Sequence, residues 1–349
     1  MAETDEPPEA DGQPSARLSG FSYGRMRSVE YIHLTGGLRA RRVEDGWGIG
    51  PLGRSDGARG EITVPDQQLR SVAAQLGLQV FGIDEVILGE PILPMRIWRP
   101  LVGIGPRSLP TETWSSIGHN ASRAGDEEYA QLARYVSICL VASDIRLRDL
   151  SDGYGVQFDA ALERRQAVGH RWDNIATADL RLAVHSLVSE MAAARDHLAR
   201  IVGLHVGAPA SKNSLVWVLD WIGAASRRHL LSNPMVAALQ AGWIETSPDR
   251  WLHELSEYRN AFLHREPLGA RGMDGALSLE VRPTPWGEIP RLQMPLPGDD
   301  AAPAVDSLER FVELHRKMTL MAADLADLAR YPATLPVITS ADLAAPARE

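Results

Sequence analysis

The chain has 349 residues, a net charge of −9, 44% hydrophobic residues and one cysteine. That length and apolar content suffice for one large domain or two modest ones, and the acidic balance excludes a general nucleic-acid coating role, which draws on clustered basic charge. Cys139 lies in an apolar stretch, which excludes an intrachain disulfide and a cysteine metal cluster, and no run approaches the roughly 18 apolar residues of a membrane helix. The expected compartment is the cytoplasm.

In chain order, residues 1–20 are acidic and Pro-rich and read as a disordered tail. Residues 21–123 are rich in Gly and Pro, with strand-like pieces at Val29 to Leu34, Glu61 to Val64 and Val86 to Leu88, and a helix from Asp66 to Leu76 on the spacing of Leu69, Val72, Ala73 and Leu76. This predicts a mixed α+β domain of unknown role. Gly48-Ile-Gly-Pro-Leu-Gly53 has the letters of a dinucleotide loop, but no convincing strand precedes it, and Pro51 with Asp56-Gly57 suggests a turn.

From Asp126 the periodicity becomes helical, with one segment to about Leu150 and a second from Val156 to His170. Leu180, Val184, Leu187, Met191, Leu198 and Val202 form a long stripe that predicts a helix from Asp179 to Val202, stopped by Gly203. Further helices are expected at Leu215 to Leu231, around Ser247 to Glu266 and at Ala302 to Ala329. Ala276 to Val281 and Arg291 to Met294 flank Pro-Trp-Gly and read as a hairpin inserted into the bundle. The helical domain spans 124–330, and 331–349 is a loose tail.

The segment SPDRWLHELSEYRNAFLHRE gathers a cation, an amide and an imidazole. Ser247 can cap the helix, Pro248 suits its first position and Asp249 opposes the positive end of its dipole. Pro267 stops it near Arg265, which puts His264 in the last turn. Trp251, Leu252, Leu255, Tyr258 and Phe262 make the apolar stripe. Arg259 fills its gap, so the guanidinium is expected to leave from the core-facing side and to need a partner. Asn260 and His264 share the next face with His253, Ser256 and Glu257.

Arginine followed five residues later by histidine also occurs at Arg165/His170, Arg200/His205 and Arg310/His315, so the spacing alone proves nothing. His315 lies on the stripe of Leu308, Phe311, Met318 and Ala322 and reads as a core histidine. Trp217 and Trp221 read as core or dimer surface. Lys212, Arg227, Arg228, Arg259 and Arg265 offer a small basic focus. The histidines lack metal-ligand spacing.

Tyr258-Arg259-Asn260-Ala261-Phe262-Leu263-His264 resembles the signature of the HEPN superfamily, the "higher eukaryotes and prokaryotes nucleotide-binding" domains. The resemblance covers roughly Asp173 to Ala329. It implies a mainly α fold, a C-terminal HEPN-like helical bundle with an inserted β-hairpin, preceded here by the smaller mixed α+β domain. It further implies a metal-independent endoribonuclease, without cofactor, of the kind found in toxin–antitoxin and phage-defence systems. RNA is then the substrate, and an antitoxin or sensor protein a possible partner.

RNA cleavage needs a base for the 2′-hydroxyl, an acid for the leaving 5′-oxygen and positive charge on the phosphate. One histidine cannot easily hold both protonation states, so a homodimer across the motif helix is expected to supply two. Arg259 would clamp phosphate, Asn260 would orient His264 or phosphate, and His264 would be the general acid or base. Glu266 stands where the best-known subgroup has a tyrosine, which argues against tyrosine modification by a partner nucleotidyltransferase. The rival expectation is a non-catalytic binding or scaffolding bundle, in which the three residues form a structural hydrogen-bond network.

Overall fold

The computed structural model describes residues 27–53, 59–88, 95–101, 109–244, 249–264, 275–296 and 305–334. The tail at 1–20, most of the tail after 331, the cap at Ser247 and Pro248, and Arg265 to Pro267 lie outside them.

The chain opens with strands β1 (Arg27–Leu34), β2 (Arg39–Val43), β3 (Gly46–Gly53) and β4 (Arg59–Val64), then a short helix α1 (Leu69–Gln75) and strands β5 (Val80–Leu88) and β6 (Met95–Pro100). Helices α2 (Pro110–Arg123) and α3 (Glu127–Glu163) follow, then a two-residue strand β7 (Arg171–Trp172) and α4 (Ile175–Val206). The remainder is α5 (Leu215–Gly223), α6 (Pro234–Trp243), α7 (Trp251–His264), the hairpin β8 (Leu277–Thr284) and β9 (Gly287–Gln293), and α8 (Ser307–Asp327).

The nine strands among the described residues belong to one antiparallel sheet, in the order β6-β5-β1-β2-β3-β9-β8-β7 with β4 on β3. This corrects the expected mainly α fold with its hairpin inserted in a bundle. The hairpin does form, but β9 joins β3 where Gly53 pairs Glu288, so strands from both ends of the chain share a sheet. The joint depends on absent side chains. A Cβ on Gly287, whose φ is +127°, would come within 2.4 Å of the Gly53 carbonyl oxygen. Local patterning carries no trace of so distant a pairing.

The Gly48 to Gly53 stretch is part of a central strand rather than a turn. Glycine there makes room for β4, since a Cβ on Gly50 would meet the Gly60 carbonyl oxygen at 2.9 Å.

Helix α3 runs unbroken for 37 residues where two segments were expected. Ser151-Asp-Gly-Tyr-Gly looks like a breaker in sequence. Yet a Cβ on Gly153 would stand 2.5 Å from Leu180 Cδ2, so the glycine lets α4 pack closely. Tyr154 and Phe158 on the same stretch are buried against the turn at Gly37. Helix α2 went unforeseen in a Gly/Pro-rich region. Pro110 starts it, and fully buried Trp114 anchors it by donating from Nε1 to the Ala322 carbonyl at 2.9 Å, on α8.

Helix α4 starts at a capping box between Asn174 and Thr177 and passes Gly203, ending at Gly207 in the left-handed conformation. Helix α5 is shorter than expected and gives way to a 3-10 turn at Ala225–Ser232, while α6 is a helix the periodicity did not show. Among the described residues no helix is long and apolar enough to cross a membrane.

Candidate functional site

Helix α7 is held on its inward side as its stripe predicts. Trp251, Leu252, Leu255 and Phe262 are buried, and α6 approaches through Gly242, where a Cβ would lie 2.6 Å from Trp251 Nε1. Toward α8, Glu254 takes both Arg310 Nε, at 2.6 Å, and Arg310 Nη2, and it accepts from the Tyr258 hydroxyl at 2.9 Å. Phe262 and Phe311 meet edge to face at 6.2 Å between centroids. Packing on this scale fixes the rotation of α7 and so decides what its other side presents.

The outer side presents Arg259, Asn260 and His264, all exposed. Among the described residues none of the three side chains has a hydrogen-bond or ion-pair partner. Arg259 therefore does not occupy the core-facing position that the stripe suggested. It sits on the shoulder toward α4, where a long stem carries its charge to water. Among the described residues these three side chains form no hydrogen bond with one another or with a neighbour.

The buried cation at this seam is a different one. Arg195 of α4 is 3% exposed; it donates to Asp196 Oδ1 from Nε at 3.1 Å and from Nη2 at 2.9 Å, and to Ser256 Oγ of α7 from Nη1. Asp196 also accepts from the Leu215 amide at 3.1 Å, at the start of α5. Burial lowers the Arg195 pKa, Asp196 opposes that, and the like charge of Arg259 lowers it further. Asp196 thus joins Arg195 to the start of α5, Ser256 joins it to α7, and the charge of Arg259 is near enough to weigh on Arg195. Sequence offered a signal for Arg195, which falls in the α4 stripe between Met191 and Leu198.

A second missed residue is His185, partly buried on α4, with Nε2 3.2 Å from the Phe262 carbonyl oxygen. That carbonyl belongs to the last turn of α7, where the helix supplies no partner of its own.

Of the other sequence candidates, His315 is a core residue, 2% exposed and bonded to Asp144 at 2.7 Å. Trp217 is 51% exposed, whereas Trp221 packs on the core and carries the Arg227 guanidinium 4.5 Å above its ring. That takes Arg227 out of any free basic focus, and Arg265 lies outside the described residues. Burial, with Glu190 beside it, pushes the Cys139 thiol up to about 11. No group of three or more His, Cys, Asp and Glu with metal-holding geometry occurs among the described residues.

The sheet hides another polar cluster. His33 Nδ1 lies 2.8 Å from Ser151 Oγ, and His33 Nε2 lies 3.7 Å from Asp84, which is paired with Arg96; Asp152 of α3 receives Arg39 and Arg96. Burial lowers the His33 pKa against the pull of Asp84. Ser151 is 2% exposed and His33 fully buried, so this serine–histidine–aspartate sequence is closed to substrate and serves to fasten α3 to the sheet.

Compared with known protein families, with curated proteins and with solved structures, the chain gives no match.

Proposed function

We propose that the chain is a metal-independent endoribonuclease whose site is the outer face of α7, in line with the resemblance of its motif to HEPN ribonucleases. One observation carries the reading. Arg259, Asn260 and His264 stand exposed and, among the described residues, without a side-chain partner, on a helix whose Trp251, Leu252, Leu255 and Phe262 are buried. An exposed guanidinium without a carboxylate beside it favours an anion, and RNA phosphate is such an anion. Arg259 binds the phosphate, a forked and permanently charged donor suited to crowded oxygens. Asn260 orients phosphate or imidazole, and His264 transfers a proton.

A homodimer belongs to the proposal. Tyr135, Ile138, Val141 and Ile145 of α3 are 41%, 60%, 43% and 38% exposed at helical spacing, an apolar stripe that a second copy can cover. The same stripe favours the rival reading, a binding or scaffolding module. A toxin–antitoxin or phage-defence setting, with a protein that restrains or triggers the activity, follows from the ribonuclease reading.

The test is cleavage of mixed cellular RNA by the purified full chain in excess EDTA, beside His264→Ala at matched folding. Cleavage by the parent, lost in the variant, supports the proposal. Equal activity in both preparations, or none across several RNA pools, favours the binding module.

A further inference from the structure

We infer that the exposed side of α5, with the 3-10 turn that follows it, is a docking surface for single-stranded RNA, on which Trp217 stacks a base; the choice of RNA rests on the ribonuclease reading above. Trp217 and Trp221 are four residues apart and so share one side of α5, while Leu215, Val218, Leu219 and Ile222 are buried. The two rings differ in use. Trp221 packs on the core and is covered by the Arg227 guanidinium, which also donates from Nε to the Trp221 carbonyl. Trp217 is 51% exposed, and among the described residues its indole has no ring, cation or hydrogen-bond partner. An isolated surface tryptophan is ordinary, so its surroundings must select the occupant.

Those surroundings are basic. From His197 to Trp243 the sequence holds Arg200, Lys212, Arg227 and Arg228 against the single carboxylate of Asp220, in a chain whose net charge is −9. Arg200 is buried and paired with Glu128, which removes it from the count. Lys212 and Arg228 have no side-chain partner among the described residues. Arg227 is fixed in place, but by a ring and a carbonyl rather than a carboxylate, so its charge is not cancelled. Positive charge therefore stands before the first turn of α5 and over its last, with Trp217 between them along the helix.

An open π face beside uncancelled cations is what a single strand requires, since its bases are free to stack on an aromatic ring while its phosphates draw on arginine and lysine. A duplex keeps its bases inside and has no use for the indole. The surface is also joined to the motif helix. One oxygen of Asp196, Oδ1, accepts from the Leu215 amide at 3.1 Å and from Arg195 Nη2 at 2.9 Å, and Arg195 Nη1 donates to Ser256 of α7. The start of α5 is thus one carboxylate and one guanidinium away from α7.

Fluorescence anisotropy of a labelled single-stranded oligoribonucleotide tests this on the full chain carrying His264→Ala, which keeps the probe intact. A duplex of the same sequence is the control, and melting temperature and sedimentation accompany every variant. Adding Trp217→Ala is expected to weaken single-strand binding by about 10-fold or more with melting temperature unchanged, and Trp217→Phe to recover most of it. Arg228→Ala is expected to weaken binding and to lower the salt dependence by about one phosphate contact. Single-strand affinity unchanged in Trp217→Ala, or a duplex bound as tightly as the single strand, overturns the inference. So does a Trp217→Ala chain that ceases to self-associate while its RNA affinity stands, which makes this side of α5 an interface between copies. Cleavage of RNA by the parent without Trp217-dependent binding overturns the inference alone. Trp217-dependent binding with no cleavage by the parent supports the docking surface and overturns the ribonuclease reading.

Discussion

Arg195 on α4 is buried and bonded to Asp196 and to Ser256 of α7, whereas Arg259, three residues beyond Ser256, is exposed and has no side-chain partner among the described residues. On the proposed reading the first serves stability and the second serves function.

Arg259→Ala should leave folding nearly intact, within about 0.5 kcal/mol, because an exposed side chain without partners contributes little. If the ribonuclease proposal holds, RNA cleavage should fall by about 100-fold or more with the loss of a phosphate-binding guanidinium. Paired thermal melts and cleavage rates check this; a large drop in melting temperature would show that Arg259 is structural after all.

Arg195→Met should do the reverse. Removing the buried partner strands Asp196 and Ser256, at a cost of about 2–3 kcal/mol, below the usual range for a broken buried pair because Asp196 retains some access to water. Chemical denaturation of the variant measures it, and an unchanged midpoint would contradict the role assigned here.

Asp306 gives a pH signature. It caps α8, accepts from the Met294 amide at 2.9 Å and from the Tyr154 hydroxyl at 3.0 Å, and burial pushes it up to about 6. The folded value lies above the unfolded one, near 3.9, so the folded state binds the proton more tightly. This group's contribution is complete below about pH 4 and is lost as pH rises to about 6. Asp306→Asn removes the titration. Its stability relative to the parent should therefore improve by about 2–3 kcal/mol between pH 4 and pH 7, read from denaturation at each pH. A constant difference would refute the assignment.

Gly287→Ala should be costly, by about 3 kcal/mol, since its φ of +127° strains any other residue and the new Cβ would strike the Gly53 carbonyl. Melting temperature reports it. Tolerance of alanine would mean that the β3–β9 joint does not bear on stability.

Native Cys139 should resist alkylation at pH 7.5, because burial keeps the thiol protonated and covered. Mass spectrometry before and after unfolding shows whether it does.

The features legible in sequence were those set by nearest neighbours along the chain. The α7 stripe, the β8–β9 hairpin, the core position of His315 and most of α8 follow from spacing of 3.6 or 2 residues. Arg259 misled because periodicity fixes a direction from the helix axis and says nothing of how far a long stem reaches. The α4 stripe marked Arg195 as a buried cation but not its partner, and His185 carried no mark at all, because each meets α7 only in the folded chain, through Ser256 and the Phe262 carbonyl. The glycines at 53, 153 and 287 looked like interruptions, whereas each marks a place where another part of the chain comes close.

The pairing of Gly53 with Glu288 also bears on inheritance. A recombination event that moved α4 to α8 into another gene would bring β9 without the strand that flanks it and α8 without Trp114. Cut out on its own, the motif helix would come with a hairpin and a last helix that each lack a neighbour supplied by the opening third of the chain.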